Sequence, residues 1–294
     1  MVCESWAEPL QSSVFDTGDR RAGECEMAYE AIEVKHDGAV TWLTLNRPHN
    51  LNALSAQMVS ELEDFLHRLP TQTETRVVVM KGAGRAFCAG LDLKEQNRGG
   101  TGLGHSITDT VESQRRMSDL VVAMRRAPQP FIAAIRGPAA GGGFALALAC
   151  DVRIAGESAR FNAAFIRIGL TACDMGVSYF LPRAVGTSVA SELMLTGRFI
   201  NAQRALATGL VSELMPDAEV DAAAAKLALE MTETSPLGLR LTKECLSISV
   251  DAGSLEQAIA IEDRNQVLCV SAGYIEEGAR AFLEKRKPRY TPRA

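Results

Sequence analysis

Three consecutive glycines, Gly141–Gly143, place the strongest limit on how this 294-residue chain folds. They follow a β-branched and aromatic run, Phe131–Ile135, which predicts a buried strand, and they precede an apolar run, Phe144–Cys150, which predicts a buried helix. Glycines at a helix start leave backbone N–H groups bare at the positive end of the helix dipole, where a negatively charged oxygen would be stabilised. The same glycines also fit a tight turn without any chemical role. These residues alone support both interpretations equally.

The charge and the cysteine pattern exclude several classes of partner. A formal net charge of −5 argues against nucleic acid or an anionic membrane as the main partner. No apolar run reaches the length of a transmembrane helix, and no histidine pair has metal-ligand spacing. Seven cysteines without paired spacing fit a reduced protein better than a disulfide or zinc framework. We therefore expect a cytoplasmic protein that binds no nucleic acid, membrane or metal.

Strand and helix patterns alternate along the first half of the chain. Residues 31–35 and 40–46 flank an Asp-Gly turn and predict a β-hairpin. A helix capped by Ser55 is predicted up to residue 69, and a strand over 76–81. A further helix is predicted over residues 110–126, with an apolar face formed by Val111, Met117, Leu120, Val121 and Met124.

The sequence predicts three regions. Residues 1–26 are polar and are expected to form a poorly ordered amino-terminal extension. Residues 27–215 are expected to form the α/β core, with a mobile glycine-rich loop over 97–104. Residues 216–294 are mostly helical in pattern, and amphipathic helices of this kind often pack on a partner subunit. We therefore expect residues 216–294 to be an oligomerisation element.

Six segments, in this order, carry motifs that point to a known family: Leu45–Leu54, Gly84–Leu93, Ile132–Gly143, Cys150–Ala155, Leu195–Ala202 and Ala207–Val211. Together they resemble the crotonase family, the enoyl-CoA hydratase/isomerase superfamily, over residues 29–288. The resemblance implies an α/β fold with a spiral of repeated ββα units and carboxy-terminal helices that assemble trimers, commonly as a dimer of trimers. It also implies an acyl-CoA thioester substrate. Coenzyme A would then be part of the substrate, with no tightly bound cofactor.

The resemblance implies that two backbone N–H groups hold the thioester oxygen as it becomes enolate-like. Matched residue by residue, these groups belong to Leu91 and Gly142. The physical argument agrees, because loss of one such donor typically costs about 2.7–4 kcal/mol of transition-state stabilisation. Since the donors are main-chain groups, the side chain at position 91 is free to be leucine.

The resemblance places coenzyme A beside Arg47 and the loop over residues 89–94. Arg47 and Lys94 would suit its phosphates, although a solvated surface charge is an equal alternative for either. Asp92 is expected to fix the loop through backbone hydrogen bonds. Phe282 and Lys285 resemble family positions that reach the coenzyme A of an adjacent site. The full set of predicted coenzyme A contacts is Arg47, Ala89, Leu91, Asp92, Leu93, Lys94, Phe282 and Lys285.

This chain departs from the family's hydratases at two positions. Hydratases carry two glutamates that activate water, and the matching residues here are Ala145 and Phe165, both expected in the substrate pocket. Neither side chain can accept a proton, and general acid–base catalysis is typically worth ~10²–10⁴-fold in rate. Standard hydratase chemistry is therefore expected to be nearly abolished.

Asp174 is the remaining candidate acid or base. Its segment, counted back from Leu181-Pro182, resembles the acid-bearing loop of family members that shift double bonds, while a count forward from Gly169 is one residue long. One carboxylate can remove a proton and return it at another carbon. The alternative is that Asp174 caps the following helix.

Three functions stay open. The first is a CoA-dependent isomerase or related lyase that uses Asp174, Leu91 and Gly142. The second is a hydratase or C–C hydrolase whose water is activated by an unrecognised group. The third is a non-catalytic protein that binds acyl-CoA.

Overall fold

The computed structural model describes residues 29–96 and 106–290. The predicted extension over residues 1–26 and the predicted loop over 97–104 lie outside the described residues. The strands are Ile32–Asp37 (β1), Val40–Leu45 (β2), Val77–Gly82 (β3), Phe131–Ile135 (β4), Pro138–Ala140 (β5), Val152–Gly156 (β6), Arg160–Asn162 (β7), Ile200–Asn201 (β8) and Glu213–Met215 (β9). The α-helices are Ala56–Arg68 (α1), Leu93–Gln96 (α2), Ile107–Arg126 (α3), Gly142–Ala149 (α4), Val177–Val185 (α5), Thr187–Thr196 (α6), Ala202–Ala207 (α7), Val220–Thr232 (α8), Pro236–Ser249 (α9), Leu255–Ser271 (α10) and Tyr274–Leu283 (α11).

Two sheets form the framework. The larger has six strands in the order β1-β2-β3-β4-β6-β9, and the smaller has three in the order β5-β7-β8. The predicted hairpin is confirmed, since β1 and β2 pair antiparallel around Asp37↔Val40. The strands from β2 to β9 in the larger sheet pair in parallel. The α/β fold expected from the sequence is therefore confirmed.

A strand–strand–helix unit repeats along the core. In the units β4-β5-α4 and β6-β7-α5, the first strand joins the larger sheet and the second joins the smaller one. After β3 the chain makes the equivalent step, because Cys88 forms a bridge with Ala139 of β5. This repetition brings the ends of successive units to one side of the molecule, where the carboxyl ends of the parallel strands meet.

The central strands of the larger sheet, β3 and β4, are buried on both faces, which their near-continuous apolar runs require. Along β3, Val77 and Val79 contribute to a cluster with Ala224 of α8, whereas Val78 and Met80 contribute to the main core. Successive side chains of a strand point to opposite faces, so this division follows directly from the sequence. Helix α8 thus covers one face, and the main core, with α1, α3 and α4, covers the other.

Helix α3 begins earlier than its apolar pattern predicts. Ser106 caps it, with its hydroxyl accepting a hydrogen bond from Asp109 N at 3.1 Å. Leu120, Val121 and Met124 are buried as expected, but Val111 is 46% exposed. The first turns of α3 therefore extend beyond the core, and the prediction of Val111 as a packed residue is wrong.

The described ranges lack three features that would point to a membrane, a metal or a disulfide. No helix there has the length and apolar character to cross a bilayer. No group of three or more His, Cys, Asp or Glu side chains in those ranges could hold a metal ion. The cysteines over the same residues, Cys88, Cys150, Cys173, Cys245 and Cys269, are free thiols.

Candidate active site

A cavity of about 110 Å³ lies where the repeated units meet. Its wall contains Leu91 from the loop after β3, Gly142 at the start of α4, Phe165 from a short 3₁₀ helix, and Asp174 from the segment before α5. These residues are far apart in sequence. The fold therefore brings together both predicted backbone donors and the predicted carboxylate.

The loop that contains Leu91 is fixed by a short parallel bridge to Leu54. Leu54 N donates to Gly90 O at 2.7 Å, and Asp92 N donates to Leu54 O at 3.0 Å. Successive N–H groups of extended backbone point to opposite sides, so the N–H of Leu91 points away from Leu54. It has no acceptor among the residues that the structure describes. This amide is therefore free to bind an oxygen in the cavity.

Gly142 is the first residue of α4, and the N–H of a first helical residue has no intrahelical acceptor. The preceding amide, Gly141 N, donates to Asn162 O at 3.0 Å, while Gly142 N meets no acceptor in the described parts of the chain. Gly141 has φ +50°, ψ −121°, a conformation that side-chain-bearing residues rarely adopt. The turn and the bare amide are thus properties of the same glycines.

The two donor segments pack backbone against backbone. A Cβ atom on Gly90 would lie 2.7 Å from Ala140 O and 3.3 Å from Gly142 N. A Cβ atom on Gly143 would lie 2.2 Å from Cys88 O, which is too close for any side chain. Glycine is therefore required at these positions because the chains approach closely, and the approach places both amides in one cavity wall.

Asp174 is half-buried, and its two carboxylate oxygens differ in environment. Oδ1 accepts hydrogen bonds from Gln114 Nε2 at 2.5 Å and from Met175 N at 2.7 Å. Oδ2 has no partner within residues 29–96 and 106–290. Helix α5 starts after Gly176 and has no side-chain cap, so the interpretation of Asp174 as a helix cap is wrong. The free oxygen is available to a ligand.

Two consecutive residues after Asp174 have left-handed backbone. Met175 has φ +45°, which is uncommon for a residue with a side chain, and Gly176 has φ +81°. Met175 is buried, and its Sδ atom would lie 3.3 Å from a Cβ on Gly142. Packing of this side chain against Gly142 holds the turn that presents Asp174.

Of the two residues that match the hydratase glutamates, one lines the cavity and the other is buried in the core. Phe165 lines the cavity as predicted. Ala145 is fully buried one helical turn beyond Gly141, and it does not line the cavity. Among the described residues that line the cavity, Asp174 is the only carboxylate.

The prediction that Asp92 fixes the loop is confirmed. Its Oδ1 accepts from Lys94 N at 3.2 Å and Glu95 N at 3.3 Å, and its Oδ2 lies 2.9 Å from Arg47 Nη1. Burial raises the pKa of Asp92, but the bonds from Arg47 and Glu95 outweigh burial, so its pKa lies below the usual value. Arg47 also donates to Ala53 O at 2.6 Å. Arg47 therefore carries a loop-fixing role that neither sequence interpretation contained.

The other predicted coenzyme A residues lie in two places. Ala89, Leu91 and Leu93 line the cavity. Lys94, the residue after Leu93, is exposed. Phe282, 82% exposed, lies near the end of α11 and Lys285 just after it, and neither lines the cavity. Contact of these two residues with the coenzyme A of an adjacent site stays a prediction.

Helix α3 contributes polar residues that the sequence reasoning missed. Thr110, Ser113 and Gln114 line the cavity together with Met117. Their spacing of i, i+3, i+4 and i+7 places them on one helix face. These positions continue the line of the apolar face of α3, but no local pattern distinguishes a polar residue that faces a cavity from one that faces solvent.

Thiol chemistry at the site is disfavoured by burial. Cys88 precedes the donor loop and is fully buried, and burial raises the pKa of its thiol to about 12 even though the N–H of Gly90 lowers it. A thiol with this pKa is protonated at neutral pH and is a poor nucleophile.

Comparisons with known proteins find similar sequences and folds. A family model described as enoyl-CoA hydratase/isomerase matches residues 35–293. A probable enoyl-CoA hydratase of Mycobacterium tuberculosis is 40% identical over 260 residues, which cover 86% of this chain and 89% of that protein. The 1,2-epoxyphenylacetyl-CoA isomerase of Escherichia coli is 35% identical over 252 residues, covering 86% and 95%.

Solved structures with this fold include proteins named as hydratases and as isomerases. A putative enoyl-CoA hydratase from Streptomyces coelicolor superposes with a TM-score of 0.86 at 35% identity, covering 96% of this chain and 100% of that one. A monofunctional enoyl-CoA isomerase from Mycobacterium smegmatis superposes with a TM-score of 0.66 at 38% identity, covering 78% and 98%.

Proposed function

This chain belongs to the enoyl-CoA hydratase/isomerase family, and from that premise we propose that it shifts a double bond in an enoyl-CoA thioester, with Asp174 as the proton carrier. The observation that carries the proposal is the composition of the cavity wall. Among the residues that the structure describes, this wall contains two backbone N–H groups without acceptors and a single carboxylate. Such a set can stabilise an enolate and move one proton, which is what an isomerase requires.

Leu91 N and Gly142 N would hold the thioester oxygen. Hydrogen bonds to this oxygen become stronger as it gains negative charge, so the two donors favour the enolate over the starting ester. Gly142 lies at the amino terminus of α4, whose dipole adds to the same effect. Together these groups increase the acidity of the carbon next to the thioester.

Asp174 would then carry the proton between carbons. In a 3-enoyl-CoA, its free Oδ2 takes a proton from C2, and the electrons of that C–H bond form a dienolate whose oxygen is held by the two amides. The protonated Asp174 returns the same proton to C4, and the electrons of the enolate form the C2=C3 bond. Gln114 and Met175 N keep Oδ1 in place, so Oδ2 is the oxygen that reacts.

The cavity offers little support for hydration. Hydration needs a group that activates water, and Phe165 and Ala145 supply none at the positions where hydratases carry glutamate. The hydratase names of several relatives belong to those proteins. We therefore expect isomerisation to exceed hydration on any enoyl-CoA that this chain accepts.

Coenzyme A enters this proposal as part of the substrate, with no other cofactor, and the protein would act in the cytoplasm. We also propose assembly as a homotrimer or a dimer of trimers. Helices α9–α11 support this, because they expose large apolar side chains such as Leu246 (63%), Leu255 (71%) and Val267 (64%). Helix α8 packs on the larger sheet instead.

The test is a panel of 2-enoyl-, 3-enoyl- and dienoyl-CoA esters analysed by chromatography with mass spectrometry, which separates isomers and detects added water. Asp174→Asn is expected to lower isomerisation by at least about tenfold and up to about 10⁴-fold. Calorimetric affinity for a saturated acyl-CoA should remain within a few fold of wild type.

Asp119→Asn is the matched control, because Asp119 is an exposed carboxylate on α3 that does not line the cavity. Gln114→Leu should slow isomerisation less than Asp174→Asn does, since it leaves the carboxylate in place. Unchanged isomerisation in Asp174→Asn, or water addition as the main reaction of the wild type, would contradict the proposal.

A further inference from the structure

The structure contains a second, larger cavity of about 550 Å³. Helices α3 and α5 form much of its wall, through residues such as Val121 and Val122 on α3 and Phe180 and Arg183 on α5. These are the same helices that carry Gln114 and follow Asp174. The second cavity is therefore adjacent to the first, which is the proposed reaction cavity, and the same helices support both.

The side chain of Met175 lies between residues that line the two cavities. Met175 lines the second cavity, and its Sδ atom packs against Gly142, which lines the first. Its neighbours are divided in the same way, since Asp174 lines the first cavity and Gly176 the second. Methionine has three rotatable bonds and no branch, so a change of rotamer can open this wall.

The second cavity is strongly cationic. Arg125, Arg126, Arg153 and Arg183 line it, against one lining carboxylate, Asp151. Asp151 is already engaged by two cations, Arg125 at 2.7 Å and Lys243 at 3.2 Å. The charged side chains around this cavity therefore carry a net positive charge.

The partners of the other lining arginines do not remove this net positive charge. Arg153 donates to the carbonyls of Cys150 and Leu210, each at 2.7 Å, and has no carboxylate partner among the described residues. Arg183 pairs with Asp251 at 3.1 Å. Arg126 is exposed and forms no hydrogen bond or ion pair with any residue in the described ranges. Arg126 can therefore bind an anion without giving up an existing partner.

The rest of the wall is apolar. Val121, Val122, Leu148, Phe180 and Val250 contribute hydrocarbon surface next to the arginines. A ligand that fits both surfaces has a hydrocarbon chain and an anionic end. Arginine guanidinium groups bind carboxylates in bidentate geometry, which matches such an end.

We infer that the second cavity holds the far end of the substrate's acyl chain, and that this end carries a carboxylate. The inference rests on the proposed function for the identity of the ligand as an acyl-CoA. The chain would pass Met175 from the reaction cavity, bury its methylene groups against α3 and α5, and place its carboxylate beside Arg126.

Binding of non-reactive probes tests this inference separately from catalysis. The probes are saturated acyl-CoA esters of equal chain length whose far end is either a methyl group or a carboxylate, compared over a series of lengths by calorimetry. Wild type should bind the carboxylate-ended ester at least about tenfold more tightly at the length that reaches Arg126. Arg126→Gln should reduce this preference about fivefold and leave the methyl-ended ester unchanged.

Arg115→Gln is the matched control. Arg115 is exposed on the same helix but lines neither cavity, so its removal should leave both affinities unchanged. Equal affinity of wild type for the two esters at every length would overturn the inference, as would an equal loss for both esters in Arg126→Gln. A clear carboxylate preference without any isomerisation would instead retain the inference and overturn the proposed reaction.

Discussion

Leu91 and Gly142 contribute main-chain N–H groups to the reaction cavity, whereas Asp174 contributes a side-chain carboxylate. The backbone side is held by the Leu54–Leu91 and Cys88–Ala139 bridges, within a buried part of the core. The carboxylate side depends on Gln114, on Met175, and on a half-exposed turn with two left-handed residues. The fold itself thus fixes the proposed oxygen-binding groups, while a few side chains fix the proposed proton carrier.

Under the proposed function, ligand binding and chemistry therefore have separate structural supports. Substitutions on the carboxylate side should remove turnover and leave binding, as expected for Asp174→Asn. Substitutions on the backbone side should act only when they move or delete a main-chain group. Variants at positions 142, 92 and 91 test that division.

Gly142→Pro deletes the amide hydrogen and is expected to lower kcat by about 10²–10³-fold, the usual cost of one oxyanion donor. Proline is tolerated at the first position of a helix, so α4 should remain. Gly142→Ala keeps the N–H and adds a Cβ about 2.8 Å from Leu54 Cδ1 and 3.3 Å from Met175 Sδ, both ends of flexible side chains.

The alanine variant is therefore the steric control, with an expected loss of less than about tenfold. Steady-state kinetics on the best enoyl-CoA of the panel measure both. Equal losses in the two variants would show that the amide hydrogen is not the important group.

Asp92→Asn tests the support of the Leu91 loop and should lower the free energy of unfolding at neutral pH by about 1–3 kcal/mol, because it removes the charged bonds to Arg47 and to the loop amides. The folded-state pKa of Asp92 lies below its ordinary value. Its contribution is therefore present above the unfolded-state pKa of about 3.9 and is lost as pH falls through the folded-state pKa.

Thermal unfolding followed by circular dichroism should thus show a gap between wild type and Asp92→Asn at neutral pH that closes below about pH 4. Asp119→Asn, which removes an exposed carboxylate without a partner among the described residues, should show no such gap. A gap that persists unchanged in acid would mean that packing, rather than the charge of Asp92, supports the loop.

Leu91→Met is expected to have the smallest effect. The donor at position 91 is a main-chain group and methionine conserves the volume, so kcat should change by less than about twofold and stability by less than about 1.5 kcal/mol. A large fall in kcat would show that the leucine side chain, and not only its amide, takes part in the reaction.

The backbone side was the easier half to predict. The strand Phe131–Ile135 and the glycine-initiated helix depend on local patterns, and both are found where the sequence places them. The roles of Leu91, Gly142 and Asp174 were all assigned from family resemblance. The position of Asp174 on the cavity wall also depends on packing between Met175 and Gly142 that no local pattern contains. Gln114 was missed because a polar residue on a helix has the same local signal whether it faces solvent or a cavity.

Other differences arise from where elements start and end. Ala145 was expected in the pocket, but α4 begins at Gly142 and its first turn carries residue 145 into the core. The partnership of Arg47 with Asp92 joins two loops that are distant in sequence, so only the Asp92 half of it could be foreseen. Long-range contacts of this kind are set by the assembled sheets rather than by either segment.

Because the two proposed donors are main-chain groups, mutation removes them far less often than it replaces a side chain. Hardly any single codon change can delete a backbone amide, because only a change to proline removes it, whereas one nucleotide can replace the aspartate codon at position 174. Lineages derived from such a gene would therefore keep a thioester-holding cavity by default and lose or exchange its chemistry readily. New reactions would then begin from a protein that already holds the ligand.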